Sequence, residues 1–242
     1  MGDTITLVDQ RDGESYLVGK LADNKCWTLD NLRLNIGDPN VQANLNPSTT
    51  NATTESLSYL INGGGSSPYP ANGVVAVDTE QTAGGDWMTS YDNPYISITR
   101  VNELVPNEYR YGAGSGKIGV YYNYCAASAG SYCYQYGKNS GNATSDVCPA
   151  GWRMPTGGPD GEYQALYEAY SSNQEEFKNA LSASLSGYFS TGTANAIGSY
   201  GRFWSSSQYR SYMYNLRTES SSVTPQSYEL APTALTVRCV LK

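Results

Sequence analysis

The start of the chain alternates apolar and polar residues in the way that β-strands do. Residues 5–8 (ITLV) and 15–18 (SYLV) are rich in apolar and β-branched side chains, and an Asp-Gly turn signal lies between them. A third run, residues 25–28, follows another turn and is extended by residues 31–34. The pattern predicts an antiparallel hairpin followed by a third strand.

Two segments in the second half have helical spacing. In residues 161–170 and 173–185, apolar side chains recur every three or four positions, which is the period of an α-helix. They are Tyr163, Leu166, Tyr167 and Tyr170 in the first segment and Phe177, Ala180, Leu181 and Leu185 in the second. We expect these segments to be the two main helices. Later strands are predicted at residues 187–190, 202–205, 212–216 and 235–241.

Residues 37–119 are rich in Asn, Pro, Thr, Gly and Ser, and we interpret them as a loop-rich insertion. An unstructured loop longer than about 15 residues is uncommon in a compact domain, so part of the insertion should be ordered. Residues 54–61 are the best candidate for a short helix. Because no internal repeat and no second core is visible, residues 1–242 are predicted to form a single α+β domain.

The last forty residues place a polar segment between two apolar runs. Phe203-Trp204 precedes it, residues 235–240 follow it, and residues 208–229 between them are rich in Tyr, Ser, Arg, Gln and Glu. Tyr offers a large contact area at low entropic cost and Ser offers adaptable hydrogen bonds, as in antibody paratopes. We call residues 208–229 the recognition segment. Its candidate ligand-binding residues are Gln208, Tyr209, Arg210, Tyr212, Tyr214, Arg217, Glu219, Gln226 and Tyr228.

Alternation within this segment predicts that part of it is exposed. Tyr212 and Tyr214 should share one face of a strand while Met213 and Asn215 share the other, so both pairs are not expected to be buried. Residues 120–136 form two further Tyr-rich arms around a tip of small residues. We expect these arms, near Tyr121, Tyr122 and Tyr124, to border the recognition surface.

Composition argues against several classes of protein, namely those that bind nucleic acid or anionic membranes and those that span a membrane. The chain has 242 residues, 22 Tyr against 3 Phe, and a formal charge of −7. A negative protein is a poor partner for nucleic acid or anionic membranes. No apolar run approaches the roughly 18 residues of a membrane span. If the protein is exported, its signal peptide is not part of these residues.

The chain has no His and five Cys. Without His, neither Ser-His-Asp nor Cys-His catalysis can be assembled, nor a His-bearing metal site. The cysteines are too scattered for a zinc ribbon and indicate disulfides in an oxidising compartment, buried free thiols being the alternative. We expect Cys125 to pair with Cys133 and Cys148 with Cys239, which leaves Cys26 unpaired.

Five ordered blocks carry a resemblance to a known family. They are RDGESYLV (11–18), CWTLDNLRL (26–34), CPAGWRMPT (148–156), FWSSS (203–207) and TVRCV (236–240). Together they resemble the Fibrobacter succinogenes major paralogous domain, which is similar to the formylglycine-generating-enzyme branch of the C-type lectin fold. In that branch an Arg-Leu-Pro-Thr segment leads into a helix, and here the segment is Arg-Met-Pro-Thr, residues 153–156. The resemblance implies a C-type-lectin-like fold with small antiparallel sheets, two main helices and long loop insertions.

The same fold occurs in the variable proteins of diversity-generating retroelements, whose codons near the C-terminus are rewritten by adenine-directed mutagenesis. The recognition segment lies where such a variable region would be. The resemblance therefore implies a non-enzymatic, exported binding protein, such as a surface-displayed receptor or adhesin, with no cofactor. Its partner would be a protein or glycan ligand on another cell or surface. The alternatives are an oxidase of the formylglycine-generating kind, which needs a reactive cysteine pair, and a carbohydrate-binding module.

Several large or charged residues of these blocks are better explained as part of the scaffold. Trp27, Trp152 and Trp204 are expected to fill the core. Arg153 and Arg238 are expected to bind buried carbonyls or a carboxylate such as that of Glu162. Three carboxylates, those of Asp9, Asp12 and Glu14, lie close together in one turn. Their spacing is not that of a calcium-binding loop, so no metal site is predicted there.

Overall fold

The computed structural model describes residues 3–62, 75–78, 97–131, 141–190 and 193–242. Within these ranges the chain is a mixture of short strands and short helices, so the predicted α+β class is confirmed. The helices are α1 (Pro39–Asn44), α2 (Thr54–Asn62), α3 (Tyr124–Ala127), α4 (Glu162–Ala169) and α5 (Gln174–Leu181).

The described strands are short and numerous. In chain order they are β1 (Thr4–Val8), β2 (Ser15–Lys20), β3 (Cys26–Thr28), β4 (Val75–Asp78), β5 (Ser97–Leu104), β6 (Lys117–Tyr122), β7 (Gly141–Asn142), β8 (Trp152–Arg153), β9 (Tyr188–Ser190), β10 (Thr193–Asn195), β11 (Tyr200–Tyr209), β12 (Tyr212–Glu219), β13 (Val223–Glu229), β14 (Thr236–Val237) and β15 (Val240–Leu241).

The first sheet joins the two ends of the sequence. Its strand order is β1-β2-β3-β15-β8, with antiparallel pairing throughout. The predicted hairpin is therefore confirmed, and residues 25–28 do form the third strand. Residues 31–34 are buried but are not a strand. Instead, the backbone N–H of Leu32 donates to the carbonyl of Val237 at 2.9 Å.

The second sheet contains the recognition segment. Its order is β13-β12-β11-β14, and β7 also pairs with β11. β11 runs parallel to β14, with Trp204 opposite Val237, and antiparallel to β12. Because β12 and β13 extend this sheet outward from the core strands, the recognition segment is an ordered hairpin.

The insertion holds more regular structure than the sequence indicates. The predicted helix at residues 54–61 is confirmed as α2, but α1, β4 and β5 were not predicted. β4, β5 and β6 form a three-stranded sheet. The remaining parts of the insertion, residues 63–74 and 79–96, lie outside the described residues.

Three clusters of buried apolar side chains lie between the sheets and helices. Trp204 belongs to the largest cluster and Trp27 to the one under α4 and α5, and both rings have no exposed surface. Trp152 differs from the prediction because it is only half-buried and packs against the edge of the largest cluster. Its strand, β8, lies at the edge of the first sheet.

The structure contradicts the prediction for residues 120–136. Tyr121, Tyr122 and Tyr124 have no exposed surface, so they do not border a recognition surface. Tyr122 and Tyr124 belong to the largest cluster, and Tyr124 begins the helix α3. Their rings pack inward because each strand or helix here is covered on both sides; the Tyr124 ring meets Trp204 edge-on at 5.2 Å. The second arm lies outside the described residues from position 132.

Candidate functional site

The tip of the β11–β12 hairpin is a tight turn at Arg210-Ser211. Tyr209 pairs with Tyr212 across it, and Arg210 has a φ of +56°, in the left-handed region. The guanidinium group of Arg210 lies 5.1 Å from the centre of the Tyr209 ring. A cation held against an aromatic face in this way is stabilised by the ring quadrupole. The turn therefore presents one positive charge beside an exposed ring.

Four tyrosine rings lie together on one face of the three neighbouring strands β11, β12 and β13. The Tyr212 and Tyr228 rings are 5.0 Å apart, and the Tyr209 and Tyr214 rings are 5.8 Å apart. Tyr209, Tyr212 and Tyr228 expose 42%, 40% and 57% of their surface, whereas Tyr214 is half-buried. We call these four residues the tyrosine face. It confirms the alternation argument, because Met213 and Asn215 on the opposite face are buried.

Small residues beneath Tyr214 fix the tyrosine face to the scaffold. A Cβ added at Gly157 would lie 2.6 Å from the Cβ of Tyr214, and one at Gly158 would lie 3.1 Å from its ring. The hydroxyl of Ser205 donates to the carbonyl of Tyr214 at 2.8 Å. On the neighbouring strand, the amide of Gln226 donates to Gln164 of α4 at 2.9 Å. The platform is thus held from below by close packing and hydrogen bonds.

The opposite face of the same sheet carries two ion pairs stacked on aromatic rings. Arg202 and Arg217 are directly opposite each other on β11 and β12. Arg202 pairs with Glu229 and Arg217 with Glu219. Both guanidinium groups also lie over the Tyr200 ring, at 5.6 and 4.6 Å. Each charge therefore has a partner within the protein.

The nine predicted ligand-binding residues do not all lie on the tyrosine face. Tyr209, Arg210, Tyr212, Tyr214, Gln226 and Tyr228 lie on or beside the tyrosine face. Arg217 and Glu219 lie on the other face, so the nine residues do not form one contiguous patch. Gln208 is 2% exposed, and its amide donates to the Arg210 carbonyl at 2.8 Å, so it supports the turn instead of facing solvent.

The face opposite the tyrosines carries a buried amide, that of Asn215. Asn215 is fully buried opposite Trp204 on one side and Ser227 on the other. Among the residues that the structure describes, neither its amide nitrogen nor its amide oxygen has a hydrogen-bond partner. An unpaired buried amide costs roughly 1 to 3 kcal/mol. Alternation along β12 predicts this placement, because Asn215 shares the parity of Met213 and not that of Tyr212 and Tyr214.

Two ion pairs hold the buried carboxylate of Glu162 at the start of α4, and they confirm the predicted role of Arg153. Arg153 donates to the two carboxylate oxygens of Glu162 at 2.5 and 2.7 Å, and Lys25 adds a second ion pair. Burial alone would raise the pKa of Glu162, but the hydrogen bonds from Arg153, Lys25 and the N–H of Thr156 outweigh it and lower the pKa to about 2. Glu162 is therefore a structural carboxylate.

The role predicted for Arg238 is also confirmed. Its guanidinium group donates to the carbonyls of Thr28, Leu181 and Ser182 at 3.1 to 3.3 Å. Burial lowers the pKa of Arg238 to about 10, although the nearby charge of Asp30 opposes this. Arg238 therefore ties the C-terminal strands to the end of α5.

The cysteine predictions are confirmed where the structure describes them. Cys148 and Cys239 form a disulfide between Cα atoms 5.9 Å apart. Cys125 is disulfide-bonded, while Cys133, its predicted partner, lies outside the described residues. Cys26 is free and half-buried.

Two carboxylates of the turn at residues 9–14 form ion pairs within the protein. The Asp9 carboxylate is buried against Arg11, and the Glu14 carboxylate pairs with Arg33. Among the residues that the structure describes, no group of three or more His, Cys, Asp or Glu side chains is arranged to hold a metal ion. None of the described helices combines the length and the apolar character needed to cross a bilayer.

Comparison of the chain with protein-family models, with curated proteins and with solved structures finds no match.

Proposed function

We propose that this chain is a non-enzymatic binding protein and that its ligand, a protein or a glycan, binds the tyrosine face. The observation that supports this most is that three tyrosines with exposed side chains, Tyr209, Tyr212 and Tyr228, lie on three neighbouring strands of one sheet. Contiguous exposed aromatic surface on a firm base is what binding hot spots favour. The hydroxyl groups keep such a surface compatible with water.

The rigidity of the platform lowers the entropic cost of binding. Tyr214 is packed on Gly157 and Gly158, and Gln226 is bonded to α4, so the hairpin does not need to become ordered when a ligand arrives. Arg210 adds a positive charge at the rim. A protein that carries a formal charge of −7 would use such a charge to orient a ligand locally.

The proposal includes export and diversification. The buried Cys148–Cys239 disulfide suits an oxidising compartment, which supports an extracellular or cell-surface location. The resemblance to the Fibrobacter succinogenes major paralogous domain and its C-type-lectin-like fold supports a variable protein of a diversity-generating retroelement. Tyr209, Tyr212 and Tyr228 are exposed on neighbouring strands whose inward residues, such as Met213 and Asn215, are buried, so substitutions at these three positions would leave the scaffold intact.

The oxidase alternative is less well supported. An oxidase of the formylglycine-generating kind uses a reactive pair of cysteines, whereas Cys239 is fully buried in its disulfide with Cys148. Cys26 is the only free thiol among the described residues, and it lies on β3, away from the recognition segment. The thiol content of the native protein, titrated without reductant, would reveal a reactive pair if one existed.

The binding proposal can be tested with a triple variant, Tyr209→Ser, Tyr212→Ser and Tyr228→Ser. The wild-type protein is screened against an array of glycans and a displayed library of proteins, and each hit is measured again with the variant. We expect the variant to lose at least tenfold in affinity, because each aromatic anchor contributes about 1 to 2 kcal/mol or more.

A matched control removes exposed apolar surface elsewhere. Leu104 and Leu241 expose 52% and 43% of their surface and lie outside the tyrosine face, so Leu104→Ser with Leu241→Ser should keep full affinity. Binding that survives in the triple variant would contradict the proposal. Diversification has its own test in the neighbouring genome, where a reverse transcriptase gene and a near-copy of the codons for residues 203–240 are expected.

A further inference from the structure

The strand β1 is exposed along its whole length. All five of its residues, TITLV, are exposed, and Ile5, Leu7 and Val8 expose 57%, 38% and 63% of their surface. Among the described strands β1 pairs only with β2, so its other side is an open edge of the sheet. The strand contains no charge, no proline and no bulge. Those are the features by which natural sheets keep an edge from pairing with another chain.

The hydrogen-bonding groups on this open edge can be identified from the register. Thr6 is opposite Leu17, whose carbonyl accepts from the Leu29 N–H and whose N–H donates to Asp30. Since the backbone groups of Leu17 point away from β1, those of Thr6 point away from β2. The same alternation directs the backbone groups of Thr4 and Val8 outward.

These outward groups are self-complementary. If a second copy of β1 is placed antiparallel with its centre at Thr6, then Thr6 meets Thr6 and Thr4 meets Val8 of the second copy. Every outward N–H and C=O of the strand then has a partner. The same alignment places Ile5 against Leu7 of the second copy, so apolar side chains meet on one face. We propose that the protein forms a symmetric dimer through antiparallel pairing of two β1 strands about Thr6.

Charge and the other sheet edge support this arrangement. The pairing brings Asp3 near Asp9 of the second copy, but the Asp9 carboxylate is already neutralised by its ion pair with Arg11. The edge strand of the second sheet, β13, contains Pro225, which lacks the N–H that strand pairing needs. The chain thus blocks strand addition beside the tyrosine face and leaves it open at β1.

The dimer would carry two tyrosine faces. Bivalent binding to ligands on one surface raises the effective affinity without any new contact, provided that both sites can engage together. This consequence depends on the proposed function, whereas the dimer itself does not, so either can fail without the other.

Sedimentation velocity over micromolar to millimolar concentrations tests the dimer. We expect the wild-type protein to shift from one to two chain masses across this range, since a short strand interface is small. In the variant Thr6→Pro the outward N–H is removed while the β1–β2 ladder keeps all its bonds. Two lost interface hydrogen bonds should weaken dimerisation by about tenfold or more.

The control Thr6→Val keeps the N–H and should dimerise like the wild type. Amide hydrogen exchange gives a second readout with a characteristic alternation. At high concentration the amides of Thr4, Thr6 and Val8 should gain protection, while those of Ile5 and Leu7, already bonded to β2, should not change. A monomer at millimolar concentration, a dimer unaffected by Thr6→Pro, or uniform protection of the strand would each overturn the proposal.

Discussion

The ammonium group of Lys178 on α5 donates to the carbonyl of Ser220 at 2.6 Å, and this bond attaches the β12–β13 turn to the scaffold. Lys178 also donates to the Glu219 carbonyl at 3.0 Å and lies 4.5 Å from the centre of the Tyr111 ring. Its side chain is 3% exposed. One buried cation therefore satisfies two carbonyls at the end of the hairpin that carries the tyrosine face.

Replacing Lys178 with Met should destabilise the protein by about 2 to 3 kcal/mol, because it leaves two carbonyls without their charged donor. Thermal unfolding measures the effect. The exposed Lys20 provides a matched control, and Lys20→Met should change stability by less than about 0.5 kcal/mol. Equal effects of the two substitutions would show that Lys178 does not hold the turn.

The Cys148–Cys239 disulfide joins two residues that are 91 positions apart in the sequence, and it therefore closes a long loop of the chain. In the chain-entropy model a loop of this length stabilises the native state by about 4 to 5 kcal/mol. We therefore expect the double variant Cys148→Ser, Cys239→Ser to unfold at a much lower temperature than the wild type. Peptide mapping without reductant should recover the linked pair, and a Cys26–Cys239 peptide in its place would contradict the structure.

The sequence was sufficient for elements whose pattern is local. The β1–β2 hairpin, the helices α4 and α5 and the partnership of Arg153 with Glu162 could all be predicted, since each depends on spacing or on a charge that must be paired when buried. The burial of Tyr122 and Tyr124 could not be predicted, because a tyrosine ring with its hydroxyl group suits either a surface or a core. Only the neighbouring elements decide which occurs.

The structure of the recognition segment could likewise be predicted only in part from its sequence. β13 was not predicted because its sequence, VTPQSYE, has a proline and little apolar alternation, and it is a strand only because β12 lies beside it. The separation of Arg217 from the tyrosine face was accessible in principle. Residues 212 and 214 have one parity along the strand and residues 217 and 219 the other, so alternation alone places them on opposite faces.

The lowered pKa of Glu162 predicts acid sensitivity. Its pKa falls from an ordinary value of 4.5 to about 2 in the folded protein, so its stabilising effect is complete above pH 4.5 and is lost as the pH falls toward 2. Because Arg153 and Lys25 are partly exposed, solvent screening keeps this stabilisation below the full value of the shift. Chemical denaturation between pH 7 and pH 2 should show this loss in the wild type.

The variant Glu162→Gln is the matched comparison for that titration. It should be less stable than the wild type at pH 7, because Arg153 and Lys25 lose their carboxylate, and its stability should depend less on pH below 4.5. Parallel pH profiles for the two proteins would mean that other carboxylates cause the acid sensitivity.

The scaffold and the tyrosine face should be separable by mutation. Trp204 has no exposed surface, its ring packs against Tyr124, and its indole N–H donates to the Tyr122 carbonyl at 2.8 Å. Trp204→Ala should therefore cost about 3 to 5 kcal/mol. The combined replacement of Tyr209, Arg210, Tyr212 and Tyr228 by Ser removes exposed groups, and each should cost no more than about 0.5 kcal/mol.

Thermal unfolding of both variants decides between a surface and a core role for the tyrosines. A melting temperature within a few degrees of the wild type is expected for the fourfold variant and a large decrease for Trp204→Ala. Tyr214 is left in place because it packs on Gly157 and Gly158 and supports the other rings. If the fourfold variant lost as much stability as Trp204→Ala, the tyrosine face would be part of the fold, and the proposal that it binds a ligand would have to be abandoned.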